Sequence, residues 1–251
     1  MNIIFLGTAG SGKTSLCNAY GMWLKKVRQQ SVSHVNLDAG AESLPYSPNF
    51  DIRTYFTVSE IMKKEKLGPN GAMLRANELM MEQSKTIIKE ITALRSEFIL
   101  IDTPGQLETF VFKEAGVFLQ KLQAMSPTVA VFLIDAGLTR YASNFIVGLL
   151  LGIAVQIELG INTVYVLHKA DLLSEDSKLA KMIQDSQYFR ECIIAEQRGA
   201  FTDLALIAHQ AVAELSSSSR LVMTSAVEPF SGLEQLHDLL HESFCACGDL
   251  T

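Results

Sequence analysis

The octapeptide Gly7-Thr8-Ala9-Gly10-Ser11-Gly12-Lys13-Thr14 sets the class of fold for this chain. It matches the phosphate-binding P-loop pattern Gly-x-x-x-x-Gly-Lys-Ser/Thr in full, after an apolar run and before a helix-like stretch. The glycines let backbone N–H groups turn inward around phosphate oxygens. We expect Lys13 to neutralise the β- and γ-phosphates and the Thr14 hydroxyl to hold Mg²⁺. Further nucleotide contacts are predicted at Gly10, Ser11, Gly12 and Ser15.

Apolar runs without polar alternation recur along the chain, and each ends in small, acidic or hydroxyl residues. They span residues 3–6, 34–37, 98–101, 131–134, 164–167 and 221–223. Residues between the runs have helical periodicity, as at Leu16, Tyr20, Trp23, Leu24 and Val27. Alternating strands and helices predict an α/β fold with a doubly wound, mainly parallel sheet and helices on both faces. Ligands bind such sheets just past the strands, where the polar clusters lie.

The composition favours one domain over residues 1–251, with 48% hydrophobic and 19% charged residues. A net charge of −6 argues against a dedicated nucleic-acid binder. The four cysteines form no disulfide framework, and no secretory signal is recognised. The longest apolar stretch, residues 145–155, is too short to span a bilayer. We therefore expect a cytoplasmic protein with reduced thiols and neither a membrane nor a direct nucleic-acid partner.

Three further stretches are assigned by composition. Residues 145–155 contain Gly148 and Gly152 and form either a buried core helix or part of a dimer surface. Residues 174–215 predict a helical insertion before the last strand, with two or more helices. The serine-rich residues 216–219 predict a flexible surface loop.

Asp102-Thr103-Pro104-Gly105-Gln106 follows the third apolar run. Asp102 is placed to reach Mg²⁺ through a water, and the Gly105 N–H to approach a γ-phosphate. Gln106 and Glu108 could orient or deprotonate the attacking water. The alternative is a Pro-Gly turn with an exposed aspartate.

His168-Lys169-Ala170-Asp171 resembles the Asn-Lys-x-Asp element with which GTPases recognise guanine. The Asp171 carboxylate can accept from both the N1–H and the exocyclic amine of guanine, a donor pair that adenine lacks. Lys169 would lay its aliphatic stem along the base, and Ser225-Ala226 occupies the place of the loop that contacts the guanine carbonyl. A solvated loop of charged residues is the alternative.

The C-terminal residues allow a metal hypothesis. His237, His241 and Cys245 are spaced to share one helical face, with Cys247 two residues on, and Zn²⁺ accepts such ligands. The spacing matches no standard zinc finger, so reduced thiols are the favoured interpretation.

Gly68-Pro69-Asn70-Gly71 lies in a polar stretch after Asp38. By itself the tetrapeptide predicts a turn. Together with the motifs above, it makes the chain resemble the GPN-loop GTPases, a family named for a Gly-Pro-Asn tripeptide inserted in a P-loop GTPase core. The resemblance covers essentially the whole chain. Residues 245–251 are similar to the ends of archaeal members, which are homodimeric, rather than those of the longer-tailed eukaryotic relatives.

This resemblance implies hydrolysis of GTP to GDP and phosphate with Mg²⁺ by a nucleotide-switched homodimer. In the family, the Gly-Pro-Asn loop reaches across the dimer toward the partner's nucleotide phosphates, a role that passes to Asn70. Asp38, Gln106 and Glu108 match the family's Mg²⁺-proximal and water-positioning residues, beside Lys13 and Asp102.

Two positions depart from the family pattern, and both lie near the expected base. His168 stands where Asn is usual, which weakens the expected guanine specificity, and Val227 stands where Lys is common. No additional lysine occurs at Thr8-Ala9, unlike in related ATPases. No arginine is clearly placed as a finger; the candidates are Arg53, Arg75 and Arg140.

Two other functions compete with GTP hydrolysis as the purpose of this chain. One is a nucleotide-locked assembly factor or scaffold in which turnover is incidental. Eukaryotic relatives are associated with RNA polymerase assembly and nuclear import, which suggests a polymerase- or translation-linked client. The other is an ATP-using small-molecule kinase, which is disfavoured because it gives Gln106 and Asp171 no role.

Overall fold

A computed structural model describes residues 1–139, 141–173, 178–215 and 221–248, and it contains one seven-stranded sheet. The strands are β1 (Asn2–Gly7), β2 (Val32–Asn36), β3 (Phe50–Asp51), β4 (Phe98–Asp102), β5 (Thr128–Asp135), β6 (Thr163–His168) and β7 (Leu221–Thr224). Their order is β3-β2-β4-β1-β5-β6-β7, and every neighbouring pair is parallel. The predicted parallel sheet is confirmed, and the six apolar runs correspond to six of its strands. The two-residue strand β3 was not predicted.

Among the described residues, helices connect every pair of successive strands except β2 and β3. They are α1 (Lys13–Val27), α2 (Val58–Glu65), α3 (Pro69–Glu82), α4 (Ser84–Thr92), α5 (Leu107–Phe110), α6 (Glu114–Met125), α7 (Ala142–Leu159), α8 (Lys178–Gln184), α9 (Ser186–Ala195), α10 (Ala200–Leu215) and α11 (Leu233–Gly248). Helices α8, α9 and α10 precede β7, within the stretch where an insertion was predicted. Residues 174–177 of that stretch and the serine tract 216–219 lie outside the described residues.

Each face of the sheet is covered by its own set of helices. Along β1, Ile3 and Phe5 point into one core with α1 and α11, and Ile4 and Leu6 point into the other with α4, α6 and α7. Strands buried on both faces explain why the apolar runs are continuous. On α1 the predicted apolar face is buried at Leu16, Tyr20 and Leu24, half-buried at Trp23 and 60% exposed at Val27.

Helix α7 packs one face closely on the sheet. A Cβ atom at Gly152 would lie 2.5 Å from a ring carbon of Tyr165, so glycine is required for this approach. The helix is long and apolar enough to cross a membrane by length and composition, and 39% of it is buried, on the face that packs in the core. The opposite face exposes Val147 and Ile157. The core interpretation therefore holds for one face, and a dimer surface stays a prediction for the other.

The carboxyl ends of the parallel strands meet at one edge of the sheet. Because β1 is flanked by β4 and β5, the chain reverses its direction of progression there, which opens the crevice where such folds bind ligands. The residues at or just past these strand ends are Gly7, Asp38, Asp102, Asp135, His168 and Thr224.

Candidate nucleotide-binding site

The P-loop joins β1 to α1 in the conformation that the glycines permit. Gly10 and Gly12 have φ angles of 78° and 93°, in the left-handed region that glycine adopts without strain. Ser11 is fully buried and its hydroxyl has no hydrogen-bond partner among the described residues. Thr14 is half-buried and Ser15 is exposed in the first turn of α1. The loop thus opens onto a helix N-terminus, as a phosphate site requires.

Lys13 lies folded into the P-loop. Its Nζ atom donates to the carbonyl oxygens of Gly7 and Thr8, both at 3.0 Å. Burial lowers the pKa of Lys13, while the nearby carboxylates of Asp102 and Asp38 oppose this shift. These carboxylates favour the ammonium form, which can bind phosphate.

The two carboxylate oxygens of Asp102 differ in their hydrogen bonding. Its side chain is 1% exposed, Oδ2 accepts from the Tyr46 hydroxyl at 2.9 Å, and Oδ1 has no hydrogen-bond partner in the described part of the chain. Burial raises the pKa of Asp102 to about 6, against the opposing effects of the Thr14 and Tyr46 hydroxyls and of Lys13. A buried carboxylate oxygen without a partner, beside the Thr14 hydroxyl, is a donor set that fits Mg²⁺.

Asp38 follows β2 in a turn that its neighbours hold in place. Its backbone N–H donates to Asn36 Oδ1 at 3.0 Å, and its Oδ1 accepts from the Gly40 N–H at 2.8 Å. Burial raises the pKa of Asp38, and the Gly40 N–H and the charges of Lys13 and Arg53 oppose it. Asp38 and Asp102 thus both lie within electrostatic reach of Lys13.

Two of the three arginine-finger candidates form ion pairs away from the P-loop. Arg53 forms a bidentate ion pair with Asp51, with contacts of 2.7 and 3.0 Å, and donates to the Ala41 carbonyl at 2.9 Å. Arg75 pairs with glutamates on and near α3. Arg140 lies outside the described residues. Neither Arg53 nor Arg75 is available to a phosphate in this structure, because each neutralises carboxylates of its own surroundings.

The segment after β4 passes directly over the P-loop. The Thr103 hydroxyl donates to the Phe5 carbonyl at 2.6 Å. A Cβ atom at Gly105 would lie 3.0 Å from the Cα atom of Ala9, so glycine permits this close approach. Gln106 is half-buried at the start of α5, and Glu108 is exposed in its first turn. The structure brings this segment to the phosphate side of the site.

The Gly-Pro-Asn tripeptide begins a helix and forms no glycine turn. Gly68 precedes α3 with an extended backbone (φ −72°, ψ 169°), and Pro69 is the first helical residue, where its missing N–H costs no hydrogen bond. The predicted turn is therefore wrong. Asn70 is exposed in the first turn of this helix. One turn further along, Met73 lines the same small cavity as Asp38.

The two elements that are predicted to recognise the base meet at the ends of β6 and β7. The Ser225 hydroxyl donates to Asp171 Oδ1 at 2.6 Å and accepts from the Val227 N–H at 3.1 Å. Asp171 is exposed, Ser225 is buried and Ala226 lies half-buried beside it. Ser225 therefore orients Asp171, as a carboxylate that reads guanine needs.

Lys169 and His168 contact the P-loop. Lys169 Nζ donates to the Gly10 carbonyl at 2.7 Å and to Asp135 Oδ2 at 2.6 Å. His168 is 2% exposed, with Nδ1 2.9 Å from the Thr224 hydroxyl. A Cβ atom added at Gly12 would lie 2.5 Å from the ring carbon Cδ2 of His168, so the ring packs directly against this glycine. His168 is thus a packing contact between Thr224 and the P-loop.

Burial lowers the pKa of His168 to about 4, with the charge of Asp171 opposing the shift. The ring is therefore neutral at pH 7. In that form it can share a hydrogen bond with Thr224 without placing a charge beside the P-loop.

Two residues of the site were missed in the sequence. Asp135 ends β5, so the rule that ligand-binding residues follow parallel strands could have found it. Tyr46 lies in an irregular segment, and no pattern in the sequence marks it.

The C-terminal histidines form an aromatic cluster with α1. His237 Nδ1 lies 2.8 Å from the Tyr20 hydroxyl, and the His241 ring meets Phe98 edge-on. Among the described residues, no three His, Cys, Asp or Glu side chains are grouped to hold a metal ion. The side chains of Cys245 and Cys247 lie outside that description, so the zinc hypothesis stays untested.

The parallel sheet, the loop after β1 and the carboxylates beside it define a P-loop nucleoside triphosphatase. A family model described as "conserved hypothetical ATP binding protein" matches residues 5–246. The chain is 35% identical over 258 residues to the GPN-loop GTPase PAB0955 of Pyrococcus abyssi, covering 100% of both chains. The apo structure of that protein matches with a TM-score of 0.85 at 32% identity, over 98% of each chain.

A eukaryotic relative matches over a shorter range. The chain is 34% identical over 182 residues to GPN-loop GTPase 1 of Dictyostelium discoideum, covering 68% of this chain and 44% of that one. These similarities show that the chain belongs to the GPN-loop GTPase family.

Proposed function

We propose that this chain binds GTP and hydrolyses it to GDP and phosphate with Mg²⁺, as one GTPase domain in the cytoplasm. The observation that carries the proposal is the meeting, at one edge of the sheet, of a P-loop lysine and a carboxylate suited to guanine. Lys13 lies in the P-loop, and Asp171 is oriented by Ser225 at 2.6 Å. A carboxylate matches the two donors of guanine and has no donor pair to accept from in adenine. This argues for GTP although the matching family model is described by ATP.

The phosphate side supplies electrostatic stabilisation. Lys13 and the backbone N–H groups from Gly10 to Ser15 would bind the β- and γ-phosphates. Thr14, Asp38 and Asp102 would hold Mg²⁺, and the bound ion would neutralise negative charge on the phosphate oxygens. Lys13 already lies within the loop. On nucleotide binding, its ammonium group would replace its hydrogen bonds to two backbone carbonyls with hydrogen bonds to phosphate oxygens.

The attacking water would be held by the segment that follows Asp102. Gln106 and Glu108 are the residues of this segment with side chains that can accept a proton or orient water. Gly105 permits the segment to approach the P-loop closely, so these side chains would start near a bound γ-phosphate. Asp38 is the next candidate for the same role.

A second subunit would complete the site. Asn70 is exposed at the first turn of α3, where its amide can donate to an anion held by a partner. Arg53 and Arg75 are engaged in ion pairs, so a neutral donor from a partner is a reasonable substitute for an arginine finger. An isologous homodimer would place each Asn70 at the other subunit's nucleotide.

A nucleotide-controlled assembly factor is the second candidate function. It is favoured by an open groove of about 530 Å³ between α7, α9 and α10, lined by apolar residues that include Leu150, Phe201 and Leu204. Phe201 and Leu204 are 72% and 63% exposed, which is unusual without a partner. The client would be a protein, such as part of a polymerase- or translation-linked complex.

Binding of fluorescent GTP and ATP, followed by phosphate release without any added acceptor, tests the proposed function. We expect binding of GTP over ATP and release of phosphate that requires Mg²⁺. Equal binding of ATP, or hydrolysis only when a small-molecule acceptor is supplied, would contradict it. Capture of clients by the GTP-bound protein and by the GDP-bound protein then tests the assembly role.

A further inference from the structure

Tyr46 joins the segment after Asp38 to the carboxylate of Asp102. Its hydroxyl donates to Asp102 Oδ2 at 2.9 Å, although the two residues are 56 positions apart. Tyr46 belongs to the irregular segment between β2 and β3, whose start contains Asp38. Tyr46 therefore ties the segment that begins near Asp38 to the carboxylate of Asp102.

The ring of Tyr46 is held rigidly. It stacks on His34 with ring centroids 4.6 Å apart and planes inclined by 21°. The end of the same segment is fixed to β2, because Asn49 accepts from the His34 N–H at 2.9 Å and donates to its carbonyl at 2.7 Å. The tyrosine hydroxyl is thus presented to Asp102 from a fixed position.

This contact gives the two oxygens of the Asp102 carboxylate different hydrogen bonding. Oδ2 is engaged by Tyr46, and Oδ1 is buried without a hydrogen-bond partner in the described structure. The Thr14 hydroxyl, the Lys13 ammonium and the Asp38 carboxylate also act on this carboxylate, and Thr14 and Lys13 belong to the P-loop side of the site. A rotation of the carboxylate would break the hydrogen bond to Tyr46 and leave a second buried acceptor unsatisfied.

We propose that Tyr46 is a positioning residue for the Mg²⁺ site, and that it acts by keeping Asp102 Oδ1 turned toward the nucleotide. This inference rests on the proposed GTPase function. Residues that orient a metal's ligands typically change metal affinity or activity about 10- to 100-fold when they are removed. The Tyr46 hydroxyl donates to the Asp102 carboxylate, so we expect its effect to pass through Asp102.

The test is the Tyr46→Phe variant, which removes the hydroxyl and keeps the stacked ring. The release rate of fluorescent GDP is measured over a range of Mg²⁺ concentrations. We expect the Mg²⁺ concentration that half-maximally slows release to rise about tenfold. In excess EDTA, the variant and the wild type should release GDP at the same rate.

Tyr165→Phe is the matched control. It also loses one tyrosine hydrogen bond, to Gln156 Oε1 at 2.6 Å, away from the nucleotide. Its Mg²⁺ dependence should equal that of the wild type. A second comparison uses Asp102→Asn: adding Tyr46→Phe to this variant should change the Mg²⁺ dependence no further.

Three results would overturn the inference. They are an unchanged Mg²⁺ dependence in Tyr46→Phe, equally faster GDP release in EDTA and in Mg²⁺, and additive effects of Tyr46→Phe and Asp102→Asn. The second would show a merely structural role, which a lower unfolding temperature would accompany. If the rate of GDP release from the wild type does not depend on the Mg²⁺ concentration, the proposed metal site is refuted, and this inference with it.

Discussion

His168 Nδ1 and the Thr224 hydroxyl lie 2.9 Å apart, at the ends of neighbouring strands. The contact buries a titratable ring between β7 and the P-loop, where burial lowers its pKa to about 4. A histidine in the unfolded chain has a pKa of about 6.5. Protons therefore bind the unfolded state more readily than the folded state between these two values.

His168 should make the protein less stable in acid. Its contribution is fully present above pH 6.5 and is lost as the pH falls toward 4, because only the unfolded state gains a proton there. The upper limit of this effect is about 3 kcal/mol. His168→Asn can keep a hydrogen bond to Thr224 without titrating, so its unfolding free energy should fall less steeply between pH 6.5 and 4. Denaturant titrations at several pH values measure both slopes, and parallel curves would contradict the assignment.

Asp171→Asn should move base preference from guanine toward xanthine, since an amide then donates where the carboxylate accepted. The new amide oxygen can still accept from Ser225, so the loop should stay in place. We expect the wild type to prefer GTP over ATP by more than about tenfold, or 1.4 kcal/mol. Competition titrations with GTP, ATP and xanthosine triphosphate measure this preference. Asp203→Asn, on the exposed surface of α10, is the matched control, and equal affinity of the wild type for GTP and ATP would refute the role of Asp171.

Gln106→Ala and Glu108→Ala should each lower kcat about a hundredfold and leave GTP affinity nearly unchanged, because both groups act on the water. Single-turnover hydrolysis and equilibrium binding separate the two quantities. Gln120→Ala is the control for the glutamine, since that amide donates to the Glu158 carbonyl at 2.9 Å on another surface. If both variants keep the wild-type kcat, Asp38 becomes the candidate that positions water.

Asn70→Ala should lower kcat about a hundredfold by removing a donor from the partner's phosphates. Mixing this variant with a Lys13→Ala variant tests whether Asn70 acts across the dimer. In the heterodimer, the Asn70→Ala subunit keeps its P-loop and would receive Asn70 from its partner. Activity should therefore return to about half of the wild-type value per dimer, with one working site of two. A heterodimer isolated through two different tags that stays inactive would show that Asn70 acts within its own subunit.

Much of the fold could be predicted because the strands of a sheet that is covered on both faces appear in the sequence as continuous apolar runs. Residues 98–101 and 131–134 are apolar without interruption, and both form inner strands. The two-residue strand β3 forms no such run, because Phe50 and Asp51 are too short a pattern to distinguish from a loop. The polar residues at the strand ends indicated most of the candidate site, and their roles stay predictions.

Side-chain partners could not be predicted in the same way. The sequence left Arg53 open to a role as a finger, and only the fold shows its ion pair with Asp51. His168 was expected near the base because of its place in a motif, whereas its ring is buried against Gly12. Tyr46 reaches Asp102 through an irregular segment, and such contacts depend on a chain path that no periodicity encodes.

The central place of β1 has a consequence for how the protein is made on the ribosome. β1 pairs with β4 and β5, so the strand that carries the P-loop stays unpaired until residues 98–135 have been synthesised. At roughly 5–20 residues per second, the wait for Phe98 alone lasts roughly 5–18 s. The loop with Ser225 emerges later still, so GTP can stabilise the nascent chain only near the end of translation. Until residues 98–135 have emerged, β1 lacks one or both of its neighbouring strands.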